Sequence, residues 1–329
     1  LSPRAALACA LAGLGAASML AAAPASAQPR GLEVRVDNDS FVTPRADDER
    51  WYTSGVFVRA AFDAPADAPD ARLAAAWCAR VVGCDPGSAT LRLVSLSHRI
   101  HTPGLTGTAG PQPYDRPYAA ALALGAASVV VGERTRQGLE LQLGAVGPAA
   151  LGEPVQNALH ALLGQPPARG WPWQVRPQAL AQLGWSRVSS HRLGVTGADV
   201  VLRTGVLLGT PQTQAEAGAM LRVGGAGPAW PGESLGVREP AGWQLFAGVE
   251  GRAVARDTLI DGATFGHASQ VRREPLVGSA FAGVSFGALR DWRLELAVAV
   301  HGVAFDSPVQ AYPFRPQRVG TIGLRWQPR

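Results

Sequence analysis

Lysine is absent from this chain, and every one of its 30 basic side chains is arginine. Alanine, arginine, glycine and proline dominate in its place, the bias of a GC-rich genome, so single Ala or Arg positions say little about function. The formal net charge is +5, but no basic run appears anywhere. That argues against nucleic acid as a partner. Past the first 27 residues no stretch of about 18 apolar residues free of charge occurs, which argues against helical membrane spans. Cysteine is nearly missing too, with 3 residues, of which Cys9 lies in the leading segment.

That leading segment reads as an export signal. Arg4 supplies a positive start, Ala5 to Ala23 an apolar stretch, and Ala25-Ser26-Ala27 a small-x-small cleavage site, so the expected division is 1–27 signal peptide and 28–329 mature domain. In an oxidising compartment Cys78 and Cys84, which close one short loop, are expected to form a disulfide.

The mature part alternates apolar and polar residues with period 2. Leu32, Val34 and Val36 alternate with Glu33, Arg35 and Asp37, and Leu139, Leu141 and Leu143 with Glu140 and Gln142. Tilted strands of about 10 residues with an apolar face and a polar or small face fit a transmembrane antiparallel β-barrel, whose lumen tolerates polar groups that a sandwich core would not. Twelve strands are expected, near 32–41, 52–62, 90–101, 118–133, 135–146, 173–186, 190–209, 216–224, 242–256, 275–287, 290–305 and 318–328. Tight turns at 132–134 and 287–290 are assigned to the periplasmic rim, and the long segments 63–88, 102–117, 147–172 and 225–241 to the outer one. The expected localisation is the outer membrane of a Gram-negative bacterium, as a monomer.

One short amphipathic helix interrupts the strands between Val146 and Trp171. On it Gln156 and His160, four apart, share one face, with Leu159, Leu162 and Leu163 on the other. A lone helix histidine is ordinary by itself. Four further patterns sit at strand ends: Asp37-Asn38-Asp39-Ser40-Phe41, Trp51-Tyr52-Thr53-Ser54-Gly55, His98-Arg99-Ile100-His101-Thr102-Pro103 and Asp115-Arg116-Pro117-Tyr118. Asn38 and Asp39 suit either a turn cap or a hard cation such as Ca²⁺, and hairpin pairing of the first two strands brings them close to Thr53.

Taken in order, Asn38-Asp39-Ser40-Phe41, Tyr52-Thr53-Ser54-Gly55, His101-Thr102-Pro103, Asp115-Arg116-Pro117-Tyr118, Val146-Gly147-Pro148 and Gln156 to His160 before Gly170-Trp171 resemble the lipid A deacylase family of outer-membrane barrels. The resemblance covers nearly the whole mature chain. It implies hydrolysis of the 3′-linked acyloxyacyl ester of lipid A, the lipid part of lipopolysaccharide, with Ca²⁺ as cofactor and the site on the outward-facing side. By the same resemblance His160 is the general base, Asn38 and Asp39 are the paired polar residues with Asp39 at the metal, and Thr53 is the hydroxyl. Gln156 and Ser54 are orienting or substrate-binding candidates.

Two departures accompany it. The segment Gly104 to Tyr114 has no basic residue where the family carries a Lys, leaving Arg99 or Arg116 as substitutes, and Pro166 stands where members can carry an acid. An outer-membrane phospholipase is an alternative, though Ser97-His98 and Ser190-His191 sit in no nucleophile motif. A catalytically inactive structural or pore-forming barrel is the other.

Overall fold

Period-2 alternation produces strands, and a computed structural model describing residues 29–42, 51–194, 197–264, 269–289, 291–307 and 316–328 contains twelve of them in a closed barrel. They are β1 Gly31–Asn38, β2 Trp51–Asp63, β3 Ala89–Thr102, β4 Ala119–Val131, β5 Thr135–Val146 and β6 Gln178–Arg192 in the first half. The second half adds β7 Ala198–Gly209, β8 Gln212–Val223, β9 Gly242–Asp257, β10 Leu276–Leu289, β11 Trp292–His301 and β12 Gln317–Trp326. Every neighbouring pair is antiparallel, and β12 closes on β1 from Leu32↔Trp326 to Asn38↔Gly320. Closure leaves no unpaired edge, which a bilayer would not tolerate. The expected signal segment 1–27 lies outside the described residues.

Three boundaries differ from expectation. The strand anticipated at 173–186 runs 178–192, the one at 190–209 begins at Ala198, and the one at 216–224 begins at Gln212. The cause is turn chemistry: Gly209, at φ +127°, leads into a two-residue connection before β8 that hides within a polar-alternating stretch.

Alternation divides the wall into two faces. Val94, Leu124, Leu143 and Val249 are among the exposed outward side chains, while inward-facing positions hold Ser95, Glu140, Arg203 and Glu216. The lumen is a charged network: Arg203 pairs with Glu216, with Glu233 at 2.7 Å and with Glu250 at 3.5 Å.

Two of the four long segments lie at the rim opposite the one expected from their length. In an up-and-down barrel successive connections alternate ends. Segments 64–88 and 224–241 therefore lie at one rim, with the tight turn 132–134, while 103–118, 147–177 and 258–275 lie at the other. The disulfide Cys78–Cys84 is formed, with Cα atoms 5.4 Å apart, but at the rim away from the His160 helix.

Segment 224–241 enters the lumen instead of standing clear of it. Trp230 packs against Phe281 (5.2 Å between ring centroids) and Val188 on one side, and Leu235 packs on Leu93 and Val129 on the other. Between them Glu233 accepts from Arg203 and, at 2.9 Å, from the Ser186 hydroxyl. Glu239 is paired with Arg325 and Arg293, which straps the end of the segment to the wall.

The two longest helices among the described residues lie against the barrel. α1, Pro69–Trp77, belongs to the 64–88 segment, and α2, Gly152–Leu163, is the helix expected from the sequence.

Candidate functional site

The outward face at the upper ends of β1 to β4 forms the candidate site. Register aligns Asn38 with Ser54, Ser54 with Ile100 and Ile100 with Ala120, one row across four strands. Each step is about 4.8 Å, so Asn38 stands about 10 Å from Ile100. Ile100 and Ala120 share the face of the outward-pointing Val94 and Leu124, two-residue steps down the same strands.

A β-bulge shapes the floor of this row. Tyr52 pairs with His101 and Ser54 with Ile100, so Thr53 is the extra residue. The bulge re-aims the strand, and Thr53 Oγ1 lies 2.7 Å from Thr102 Oγ1, a hydroxyl pair buried at the wall. Trp51, just before, adopts φ +72°, a left-handed conformation held by Trp51 Nε1 donating to Asp115 Oδ1 (3.2 Å) and by an edge contact with Phe305. Non-glycine residues in this region carry strain that surrounding contacts must offset.

Asn38 caps the short turn Asp39–Phe41: its Oδ1 accepts the Ser40 N–H at 2.8 Å and the Ser40 hydroxyl. With the oxygen so engaged, the amide NH₂ is the group left for a ligand. Asp39 is buried beside it.

α2 stands over β3 and β4, and the motifs explain why. Gly147, at φ +88°, turns the chain where a Cβ would lie 2.5 Å from the Val175 carbonyl oxygen. A Cβ on Gly170 would lie 2.3 Å from the Tyr118 ring, so only glycine admits the Tyr118–Trp171 contact, at 5.0 Å between centroids. Trp171 is fully buried on Ile100, Ala120 and Ala150, and His98 Nε2 donates to the Ala150 carbonyl at 2.7 Å. Burial pushes the Tyr118 hydroxyl up to about 12. Most of the ordered motifs are thus a mounting for α2.

The helix turns its polar face inward. Gln156 and His160 are 2 % and 5 % exposed, whereas Val155 and Leu162 face out. Trp171 Nε1 can only donate, and it gives its proton to Gln156 Oε1 at 2.9 Å, so the Gln156 NH₂ faces His160 Nε2 at 3.5 Å. His160 Nδ1 lies 2.7 Å from the Pro166 carbonyl oxygen. A carbonyl cannot donate, so the proton of the neutral ring sits on Nδ1 and Nε2 carries the lone pair. Asn157 holds the returning chain in place, accepting from the Ala168 N–H at 2.8 Å and donating to its carbonyl at 3.3 Å.

Arg99 and Arg116 lie on the lumen side, away from this row. Arg99 Nη1 crosses to Gln212 Oε1 at 3.1 Å, and Arg116 is buried, pushed down to about 10 by burial and by Arg252, against Asp257. Ser54 belongs to the row itself. Residues not singled out from sequence are Thr102, Asn157, Trp171 and the carbonyl of Pro166. Thr102 and Trp171 lay inside recognised motifs, whereas a backbone acceptor leaves no signature.

The profile of the outer membrane protein LpxR family matches residues 7–327. The chain belongs to the LpxR family. Among solved structures, LpxR from Salmonella typhimurium is similar, with a TM-score of 0.69 at 17% identity, covering 90% of this chain and 99% of that one. The β domain of the Bordetella autotransporter BrkA covers 92% and 99% at 10% identity, but at a TM-score of 0.41. No curated protein sequence matches. Family membership and the closed barrel place the chain in the Gram-negative outer membrane.

Calcium chemistry can be tested against the donors. The Asp39 carboxylate and the Thr53 and Thr102 hydroxyls are oxygen donors, of the kind a hard cation takes, whereas the Asn38 oxygen is already taken by Ser40. Among the described residues no three His, Cys, Asp or Glu side chains converge as a metal cluster. The set therefore fits Ca²⁺ in kind, with a single carboxylate and Pro166 contributing no second one.

Proposed function

We propose that this LpxR-family barrel hydrolyses the 3′-linked acyloxyacyl ester of lipid A, acting as a monomer from the outward-facing rim. The observation that carries the reading is the His160 ring on the outer face of the wall, with its Nδ1–H fixed by the Pro166 carbonyl and its Nε2 left as the proton acceptor, beside the Gln156 amide. The long connections 103–118, 147–177 and 258–275 at that rim support its facing outward.

An ester of a bilayer lipid reaches such a site from the side. Nε2 accepts a proton from a water, and the hydroxide so formed attacks the ester carbonyl carbon. Charge develops on the carbonyl oxygen, where the Asn38 NH₂ and the Thr53–Thr102 hydroxyls supply donors. Collapse breaks the bond to the sugar 3-oxygen, which takes the proton from the His160 imidazolium, leaving a free acid and an alcohol. Gln156 and Trp171 keep the ring in place throughout. Asp39, with Thr53, would hold calcium, which when bound would supply positive charge at the ester oxygen.

A serine-nucleophile phospholipase needs a Ser–His pair facing lipid at one working site. Ser279 Oγ lies 2.8 Å from His301 Nδ1, but this pair points into the lumen, and Ser189–His191 lies near the opposite rim. The lumen-filling segment 224–241 disfavours a pore. The test is lipid A mass spectrometry from cells making the wild-type chain: loss of the 3′ acyl chains supports the reading, and unchanged lipid A from well-inserted protein refutes it.

A further inference from the structure

The disulfide loop at the rim away from the site holds a feature unrelated to catalysis. α1 buries Ala71 and Ala74, and Ala74 packs with Cys78, just past the helix, against Val130 of β4. Its Asp70 carboxylate accepts from Arg92 Nε at 2.8 Å and from the Ser128 hydroxyl at 2.9 Å. Arg92 lies two residues before the exposed Val94 and Ser128 four residues after the exposed Leu124, so all these anchors belong to the outward wall face. α1 therefore does not cap the lumen. It lies on the outside of the barrel, at the end of the same two strands that carry α2 at the other rim.

The free side of this segment is apolar. Leu73, Trp77 and Val81, spaced four apart, are 63 %, 39 % and 58 % exposed, with Arg72 and Arg80 beside them. Such a stripe in water would be a liability. Here it continues the lipid-facing surface of β3 and β4. A tryptophan and arginines at one end of an apolar band are the composition of a membrane–water interface, where arginine stems lie along apolar surface and their heads reach phosphate. The Cys78–Cys84 disulfide closes the segment at the end of the stripe.

We propose that residues 69–82 form an interfacial membrane segment, seated in the headgroup region of the phospholipid leaflet at the rim opposite the site. Leu73, Trp77 and Val81 enter the acyl boundary, and Arg72 and Arg80 meet lipid phosphates. This surface fixes the depth and tilt of the barrel at β3–β4, the strands on which α2 is mounted. It does not depend on the hydrolase reading.

The full chain reconstituted in phosphatidylethanolamine–phosphatidylglycerol vesicles, containing a phospholipid with a diazirine near its headgroup, tests this by photolabelling and peptide mapping. Lipid adducts on 69–82 are expected, alongside adducts on the wall at Val94 and Leu124. The Leu73→Glu/Trp77→Glu/Val81→Glu variant should lose the former and keep the latter, with its β-sheet circular dichroism intact. A labelled wall with an unlabelled 69–82 segment would overturn the proposal. So would protection of that segment by protein–protein cross-links to a second copy, or adducts that survive the triple substitution.

Discussion

Replacing Trp171 with Phe removes one proton donor and keeps an aromatic ring in the same slot. The structure makes the cost specific. Trp171 is fully buried, Gln156 is nearly so, and the 2.9 Å bond between them satisfies the Gln156 oxygen. A buried acceptor left without its donor costs about 1–3 kcal/mol. That penalty falls on the docking of α2, since the barrel strands are paired independently of it, and it appears as local opening. At about 1.4 kcal/mol per tenfold, amide exchange across Gly152–Leu163 should accelerate on the order of ten- to hundred-fold. Gln156→Met strands the indole N–H instead and should cost a similar amount. The double variant Trp171→Phe/Gln156→Met has no orphaned group at this contact, so exchange should fall back toward the wild-type rate, below that of either single variant. Hydrogen–deuterium exchange with mass spectrometry, on protein in detergent micelles, reads all four states. Wild-type exchange in Trp171→Phe, or strictly additive penalties in the double variant, would show that the bond does not hold the helix.

Three further outcomes follow from other parts of the molecule. With one carboxylate among its oxygen donors, the site should need calcium in roughly the 0.1–1 mM range, and acyl release titrated against buffered Ca²⁺ that saturates at nanomolar concentration would contradict that donor set. Planar-bilayer recordings should show a closed wild-type barrel, with channel events in Trp230→Ala/Glu233→Ala, because Trp230 and Glu233 tie segment 224–241 to both the lumen wall and Arg203; equal silence from both would refute the plug. Asp85 stays below the usual carboxylate range: burial pushes it up, but the N–H groups of Arg134 and Thr135, each 2.7 Å from Oδ2, outweigh that. A depressed value means stability present above the ordinary 3.8 and lost as pH falls below it, so the faster amide exchange of Asp85→Asn over wild type at Thr135 should vanish in acid.

The strand count was legible because lipid outside and a charged lumen inside force each wall position to choose a side. Leu141 and Leu143 against Glu140 and Gln142 show that choice in four residues. Boundaries between 178 and 223 were not, because a tight turn at Gly209 sits among residues that alternate as a strand does. The rim of the disulfide loop followed from strand parity, which turn length obscured. Segment 224–241 reads as a glycine- and proline-rich loop, and nothing local says that Trp230 and Leu235 find opposite walls of a lumen. At the site, His160 and Gln156 were visible by their helical spacing. The bulge that turns Thr53 toward Thr102 was hidden, since register emerges only on pairing. Pro166 looked like a loss, yet its side chain is irrelevant to the bond its carbonyl makes with His160.

We propose that the His160 imidazole, held by that carbonyl, activates water against a lipid A ester. The most direct test is lipid A mass spectrometry from one host expressing either the wild-type chain or His160→Ala, with heat-modifiable migration confirming equal insertion of both. Lipid A lightened by its 3′ acyloxyacyl chains is expected with the wild type, and full-mass lipid A with His160→Ala. Identical deacylation by the two proteins would contradict it.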